Sequence, residues 1–276
     1  MLSKQSTFLL YALAVLYGVL GVILFVAPAW GSANFAWRVS PFVAMTIGGW
    51  CLGNAWAAFI IARRSLPTVA TAVLYLILFG VLQTIVLVMF RERVLPGNHL
   101  SWIYFAALAA NCLFAVSALI DVFRQPATAL ARVGRPLRPI DLIFVAGFIF
   151  NVGFLGVGLF FGPVERRLIG SPIFPEPLSP FTVRSFGAFY LALSASVILL
   201  FVTRGLGNAL GSAFAASGLV LFVTAAAFVY IGLFDFRAFP TQLIYFAAYL
   251  IVGILACVYF AVYGTGKDQG KTATSG

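Results

Sequence analysis

Long apolar stretches alternate with short polar segments along the whole chain. Eight of them are long enough for a helix to cross a bilayer, since about 20 apolar residues span a hydrocarbon core of roughly 30 Å. Apart from Arg184, near the start of the sixth stretch, the charged residues keep to the ends. The predicted spans are Phe8–Pro28, Pro41–Ala62, Thr68–Phe90, Leu100–Phe123, Leu142–Gly162, Phe181–Thr203, Leu210–Phe234 and Thr241–Tyr263.

The composition agrees with this pattern. Of the 276 residues, 63% are hydrophobic and only 9% are charged, and the mean hydropathy is +1.08. A soluble domain of this length needs many more polar side chains to cover its surface. Lipid is therefore the expected solvent for most of the exterior. The fold class that we predict is an all-α, polytopic integral membrane protein of about eight transmembrane helices.

Four short motifs occur twice, in the same order. The first copies are Gly18-x-x-Gly21 followed by Pro28, Ser40-Pro41-Phe42 followed by Gly48, Phe90–Pro96, and Ile103–Ala107. The second copies, in the same order, are Gly153-x-x-Gly156 followed by Pro163, Ser179-Pro180-Phe181 followed by Gly187, Phe234–Pro240, and Ile244–Ala248. The order predicts two tandem four-helix repeats, and an even number of helices per copy makes the repeats parallel. The predicted units are a first repeat over 1–123, a basic, proline-containing linker over 124–140, a second repeat over 141–265 and a polar, disordered tail over 266–276.

The formal net charge of +10 indicates lipid rather than nucleic acid as the partner. Basic residues stand singly or in pairs beside the apolar spans, and no Lys/Arg-rich run is present to follow a phosphate backbone. Ten basic residues lie on the side of both termini and seven on the other, which predicts a cell-membrane protein with cytoplasmic N- and C-termini. The ten are Lys4, Arg63, Arg64, Arg124, Arg132, Arg135, Arg138, Arg204, Lys267 and Lys271; the seven are Arg38, Arg91, Arg93, Arg166, Arg167, Arg184 and Arg237.

Residues for catalysis, metals or cofactors are sparse. His99, the only histidine, lies in a predicted loop, and the lysines lie in the terminal segments. No span carries a central carboxylate, which argues against a proton relay of the pump type. No Walker A loop, nucleophile elbow or HExxH motif is present. We therefore predict no catalytic residue, no metal site and no cofactor.

Amides are the main polar groups inside the predicted spans. Such groups commonly hydrogen-bond between helices, each contributing about 0.6–2 kcal/mol. Packing is the first interpretation of these amides, and the lining of a substrate site is the second. The intramembrane polar residues are Asn54, Gln83, Asn111 and Asn151, with Thr84 beside them.

The side opposite the termini carries the best candidate binding site. In the proposed repeat, Arg93 and Arg237 occupy matching motifs, each beside an acidic residue. Arg38 and Arg184 lie near the starts of the second and sixth spans. Guanidinium groups in such a set suit an anionic head group, carboxylate or phosphate. The alternative interpretation is that they anchor the helices at the lipid interface. The predicted ligand residues are Arg38, Arg93, Arg184, Arg237, Glu92 and Asp235.

Three functions remain open from the sequence. The first is a small carrier or lipid-handling protein with an anionic-group site near the non-cytoplasmic interface. The second is a non-catalytic accessory or scaffold subunit of a larger membrane complex, with other subunits or a second copy as partners. The third is a membrane-embedded lipid-modifying enzyme, for which Asp121 and Asp141 are the only acidic candidates on the side of the termini.

Overall fold

The computed structural model describes residues 2–163, 167–168 and 171–263. Over these ranges the chain is almost entirely helical. The helices are α1 (Lys4–Val26), α2 (Pro28–Asn34), α3 (Pro41–Arg63), α4 (Leu66–Met89), α5 (His99–Arg124), α6 (Pro126–Ala129), α7 (Pro139–Phe161), α8 (Pro180–Val197), α9 (Leu199–Thr203), α10 (Leu206–Val229) and α11 (Gln242–Tyr263). Two 3-10 turns, Arg91–Arg93 and Ile231–Leu233, follow α4 and α10. Strand β1 (Arg167–Leu168) pairs with β2 (Ser171–Pro172) in an antiparallel hairpin.

Seven helices of the described chain are long and apolar enough to cross a membrane, which confirms the prediction of an all-α membrane protein. They coincide with the first seven predicted spans, the sixth being α8 and α9 together. The eighth predicted span falls on α11, whose side chains are described in part. Two boundaries differ from the prediction: α1 ends at Val26, before the separate helix α2, and α10 ends at Val229, before its 3-10 turn.

Serine and proline set the starts of several helices. The hydroxyls of Ser40 and Ser179 accept hydrogen bonds from the backbone N–H groups of Val43 (3.1 Å) and Thr182 (3.2 Å). Pro41 and Pro180 then occupy the first turn, where a missing N–H costs nothing. These caps satisfy donors that the helix itself leaves unpaired, and they fix where α3 and α8 begin.

Four helices form the centre of the bundle. Helix α3 packs against α10, and α4 packs against both α8 and α10. Helix α1 packs on α3 and α5, α7 packs on α8, and α11 packs on α10. Aromatic side chains close the centre between α3 and α8: Trp50 stacks on Phe189 with ring centroids 4.6 Å apart, and Phe186 meets it edge-on at 4.5 Å.

The ends of the helices form two faces. We call the face with the N-terminus and the segment 124–138 the linker face. The opposite face, with 27–40, 90–98, 171–179 and 230–241, is the connector face. The backbone N–H of Ser3 donates to the Asp121 carboxylate at 2.9 Å on the linker face. On the connector face, Leu95 N–H donates to the Ala36 carbonyl at 2.7 Å.

The linker predicted over 124–140 is hydrogen-bonded to its neighbours in the structure. It contains α6, and its second half lies along the residues between α9 and α10. Leu137 N–H donates to the Arg204 carbonyl, and Leu206 N–H donates to the Arg135 carbonyl, both at 2.8 Å. The Asn208 side chain bonds to Pro67 O (2.7 Å), Ala131 O (3.1 Å) and Val133 N (2.8 Å). The linker is therefore clamped to α4 and α10.

Candidate functional site

The structure places Arg93 and Arg237 in different settings. Arg93 ends the 3-10 turn after α4 and is exposed, as is Glu92 beside it. Arg237 lies beyond the equivalent turn, in a second turn where the Asp235 carboxylate accepts the backbone N–H groups of Arg237 (3.2 Å) and Ala238 (3.0 Å). Phe90 comes just before the first 3-10 turn, whereas Phe234 comes just after the second. Residues that match in sequence therefore occupy different positions relative to the two turns.

Arg184 has a partner in a neighbouring helix. It lies one turn into α8, half-buried, and its Nη1 donates to the Leu159 carbonyl of α7 at 2.8 Å. Leu159 belongs to the last turn of α7, where carbonyl groups lack helical partners and the helix dipole favours a positive charge. Arg184 therefore caps α7, which accounts for a charge at this depth without a ligand.

Arg38 lines a small cavity on the connector face, which we call the outer cavity. Its volume is about 170 Å³, and its walls include Ser40, Glu176, Ser179 and Thr182. The Ser40 hydroxyl donates to the Glu176 carboxylate, so an acidic side chain of the chain itself lies at the start of α3. Burial raises the pKa of Tyr230, at the end of α10, and the Glu176 carboxylate raises it further.

Three of the predicted intramembrane amides join helices. Asn54 accepts from Tyr75 OH (2.7 Å), Gln83 donates to the Ser185 carbonyl (2.9 Å), and Asn111 donates to Tyr17 OH (2.9 Å). These bonds link α3 to α4, α4 to α8, and α5 to α1, as the packing interpretation requires. Asn151 differs: it is exposed on the outer side of α7 and makes no hydrogen bond to the described chain.

The largest cavity described in the structure was not predicted. It holds about 220 Å³ between α4, α7, α8 and α10, close to the linker face, and we call it the inner cavity. Most of its wall is apolar. Small side chains along α10 leave the space, and the alanine-rich run at 209–216 is the sequence signal that was available. The α10 alanines that line it are Ala209, Ala213, Ala215 and Ala216.

One end of the inner cavity is closed by the clamped linker. Leu137 and Asp141 line this end. Asp141 is buried, with 3% of its surface exposed, and Arg138 holds it with Nη2–Oδ1 and Nε–Oδ2 distances of 3.0 and 3.2 Å. The backbone N–H of Arg138 also donates to Oδ2, at 2.9 Å, so Asp141 caps α7 as well. The pair places a charge-compensated polar group at the edge of an apolar space.

The inner cavity opens sideways. Phe144, in the second turn of α7, lines the cavity and is 48% exposed on the outer surface of the bundle. Helix α7 is apolar over a membrane-spanning length, so its outer surface faces hydrocarbon. Phe144 therefore lies between the cavity and the outer surface of the bundle. The wall suits apolar matter, and the described residues that line it form no nucleophile–base pair.

Comparison with known proteins adds no relative from which a site or an activity could be carried over. No protein-family model, curated protein or solved structure matches the chain.

Proposed function

We propose that the chain is a small carrier or lipid-handling membrane protein that binds the hydrocarbon part of an amphipathic molecule in the inner cavity. The observation that supports this most strongly is an apolar cavity that opens sideways at the depth of the acyl chains. Its volume of about 220 Å³ exceeds the roughly 150 Å³ of an engineered cavity that takes up benzene. It accommodates part of an acyl or isoprenoid chain, with the rest of the molecule in the bilayer.

The proposed architecture is eight spans in two parallel four-helix repeats, with α11 as the eighth. Matching close contacts support it. A Cβ on Gly48 of α3 would come within 2.7 Å of Phe25 N, and one on Gly187 of α8 within 2.5 Å of Phe160 N. On the facing helices, a Cβ added to Gly21 or Gly156 would come within 2.8 Å of the backbone N of Leu52 or Leu191, respectively. The pairs α1/α3 and α7/α8 thus cross in the same way.

The packing order adds further support. Helix α4 packs on α5 as α10 packs on α11, and α3 packs on α10 as α8 packs on α4. The 3-10 turns follow α4 and α10 alike. In this arrangement the inner cavity takes walls from both repeats, with Ala57, Thr71 and Tyr75 from the first. With both termini cytoplasmic, the proposed orientation in a cell membrane puts the cavity in the cytoplasmic leaflet.

A second candidate function is that of an accessory subunit, and the outer surface of α7 favours it. Asn151 lies exposed near the middle of this helix, between Phe150 (77% exposed) and Phe154 (58% exposed). An amide in hydrocarbon loses its hydrogen bonds to water, so a partner chain or a second copy that pairs with it gains stability. The enzyme interpretation gains no such support, because the Asp121 carboxylate binds Ser3 N–H and Ser6 Oγ and Asp141 caps α7.

A cavity-filling substitution tests the carrier proposal. The purified protein in mild detergent is mixed with a spin-labelled long-chain hydrocarbon that has no charged head group, and tryptophan fluorescence quenching gives the apparent affinity. Ala216→Phe places a ring in the inner cavity and is expected to weaken binding at least tenfold. Ala225→Phe is the matched control, since Ala225 is also half-buried on α10 but does not line the cavity. If Ala216→Phe and Ala225→Phe bind the probe with equal affinity, the inner cavity is not its binding site.

The same preparation separates the two candidates. Intact-complex mass spectrometry of the protein from its native membrane gives its mass and stoichiometry. Retention of a discrete lipid, lost in Ala216→Phe, favours the carrier. Stoichiometric other chains, lost in Asn151→Leu, favour the accessory subunit.

A further inference from the structure

Two hydroxyls of the inner cavity lack a partner among the described residues. Ser212, on α10, lines the cavity with 9% of its surface exposed, and its hydroxyl makes no hydrogen bond within the described chain. Thr71, on α4, is also buried in the wall and makes none to the described residues. Buried hydroxyls are almost always paired, because an unpaired one forfeits the bonds that it makes to water. Tyr75 and Ser196 of the same wall are engaged by other groups of the chain. Ser212, with Thr71 on the facing helix, is thus free to pair with a group of a bound molecule.

Asp141 restricts the charge of that group. Its carboxylate lines the same cavity and is compensated by Arg138, which binds both of its oxygens. A second anion in this apolar setting would face the carboxylate and compete for an arginine that is already engaged. A cation would gain little from the Asp141 carboxylate, because Arg138 already neutralises its charge. An uncharged hydroxyl meets neither difficulty, and it both donates and accepts hydrogen bonds.

We infer that the inner cavity selects an amphiphile with an uncharged, hydroxyl-bearing head group, which pairs with Ser212 beside the Asp141 carboxylate while its hydrocarbon chain leaves past Phe144 into the bilayer. This rests on the proposed function and specifies its ligand as a long-chain alcohol, a monoacylglycerol or a similar molecule. It replaces the anionic ligand that the arginines of the connector face predicted.

Two probes that differ only in the head group test this inference. Radiolabelled oleyl alcohol and oleate have the same chain, and at pH 8 in detergent only oleate is charged. Equilibrium binding to the purified protein is expected to be about tenfold tighter for the alcohol. Equal affinities, or a preference for oleate, would overturn the head-group assignment while leaving the cavity as a lipid site. If neither probe binds, the proposed function falls with it.

Variants identify the side chains responsible. Ser212→Ala is expected to reduce the preference for the alcohol about fivefold. Ser217→Ala is the matched control, because Ser217 also lies on α10 but donates to the Phe214 carbonyl and does not line the cavity. Asp141→Asn retains a capping side chain for α7 and removes the charge, so oleate binding is expected to rise. A preference that survives Ser212→Ala, or oleate binding that does not change in Asp141→Asn, would overturn the assignment.

Discussion

The two halves contribute differently to the inner cavity: α1 and α5 supply no residue of its wall, whereas α7 and α10 supply about half of it and face Tyr75 of α4. In the proposed repeat, Tyr75 and Phe79 of α4 correspond to Ala215 and Leu219 of α10, because both helices have the same length and are followed by the same 3-10 turn. Tyr75 bonds to Asn54, and Phe79 meets Tyr17 with ring centroids 6.3 Å apart. Ala215 and Leu219 line open space.

The difference shows how one architecture supplies both rigidity and a site. Large aromatic rings fill the first half, and its amides bond between helices through one of their two polar atoms, since Asn54 Nδ2 and Asn111 Oδ1 have no partner within the described chain. Packed rings and such bonds favour a single arrangement. Small side chains at the matching places leave volume that the backbone, fixed by the glycine crossings, does not collapse to fill. We therefore interpret the first half as the scaffold and the second as the binding half. The following substitutions test this comparison.

Removing Tyr75, whose ring separates the interior of the first half from the inner cavity, is expected to have the largest effect. Tyr75→Ala leaves a void at a buried position and frees the Asn54 carbonyl oxygen, so the free energy of unfolding should fall by about 3–5 kcal/mol. Tyr75→Phe keeps the ring and loses one buried hydrogen bond, at about 0.6–2 kcal/mol. Unfolding by sodium dodecyl sulphate, followed by circular dichroism, measures both. A loss below 1 kcal/mol in Tyr75→Ala would mean that this half is not rigid.

The two glycine crossings are expected to be equally sensitive. Ala at Gly48 or Gly187 puts a methyl group against the backbone of the facing helix, at 2.7 and 2.5 Å from the nearest atom. Each change should cost about 1–3 kcal/mol, because an overfilled contact forces the helices apart. Gly147→Ala is the control, since a Cβ there meets nothing within 4 Å. A cost in only one of the two crossings would argue that the halves are not equivalent.

The smallest effect is expected at Asn151. Replacing the exposed amide with Leu should change the stability of the isolated chain by less than about 0.5 kcal/mol, because no bond within the described chain is lost. A marked loss of stability would show that Asn151 pairs within its own chain. Thermal unfolding in detergent, with Asn111→Leu as the matched amide whose bond to Tyr17 is lost, separates these outcomes.

The sequence was sufficient to predict the helices, because an uninterrupted apolar run of this length is itself the signal of a span. It was also sufficient for the starts of α3 and α8, which lie within one residue of the predicted starts of the second and sixth spans. It could not reveal α2, since Pro28 ends one helix and begins the next. Nor could it predict the positions of Arg93 and Arg237, because two segments with matching residues can leave their turns in different conformations.

The sequence did not reveal the inner cavity for a related reason. A cavity depends on the combined volume of side chains from several helices. The sequence around an alanine on α10 does not show whether that alanine faces a neighbouring ring or empty space. Arg184 illustrates the converse. A charge within a span is typical of a functional site, and only the three-dimensional structure supplied the Leu159 carbonyl that it caps.

The clamp at Asn208 has a consequence for the order in which the protein is made. This side chain holds Pro67, Ala131 and Val133, so none of these bonds exists until the ribosome has passed residue 208. The first six long helices and the linker are therefore synthesised before the linker has its final partners. The floor of the inner cavity is completed late in biogenesis, when α10 joins helices that already lie in the membrane.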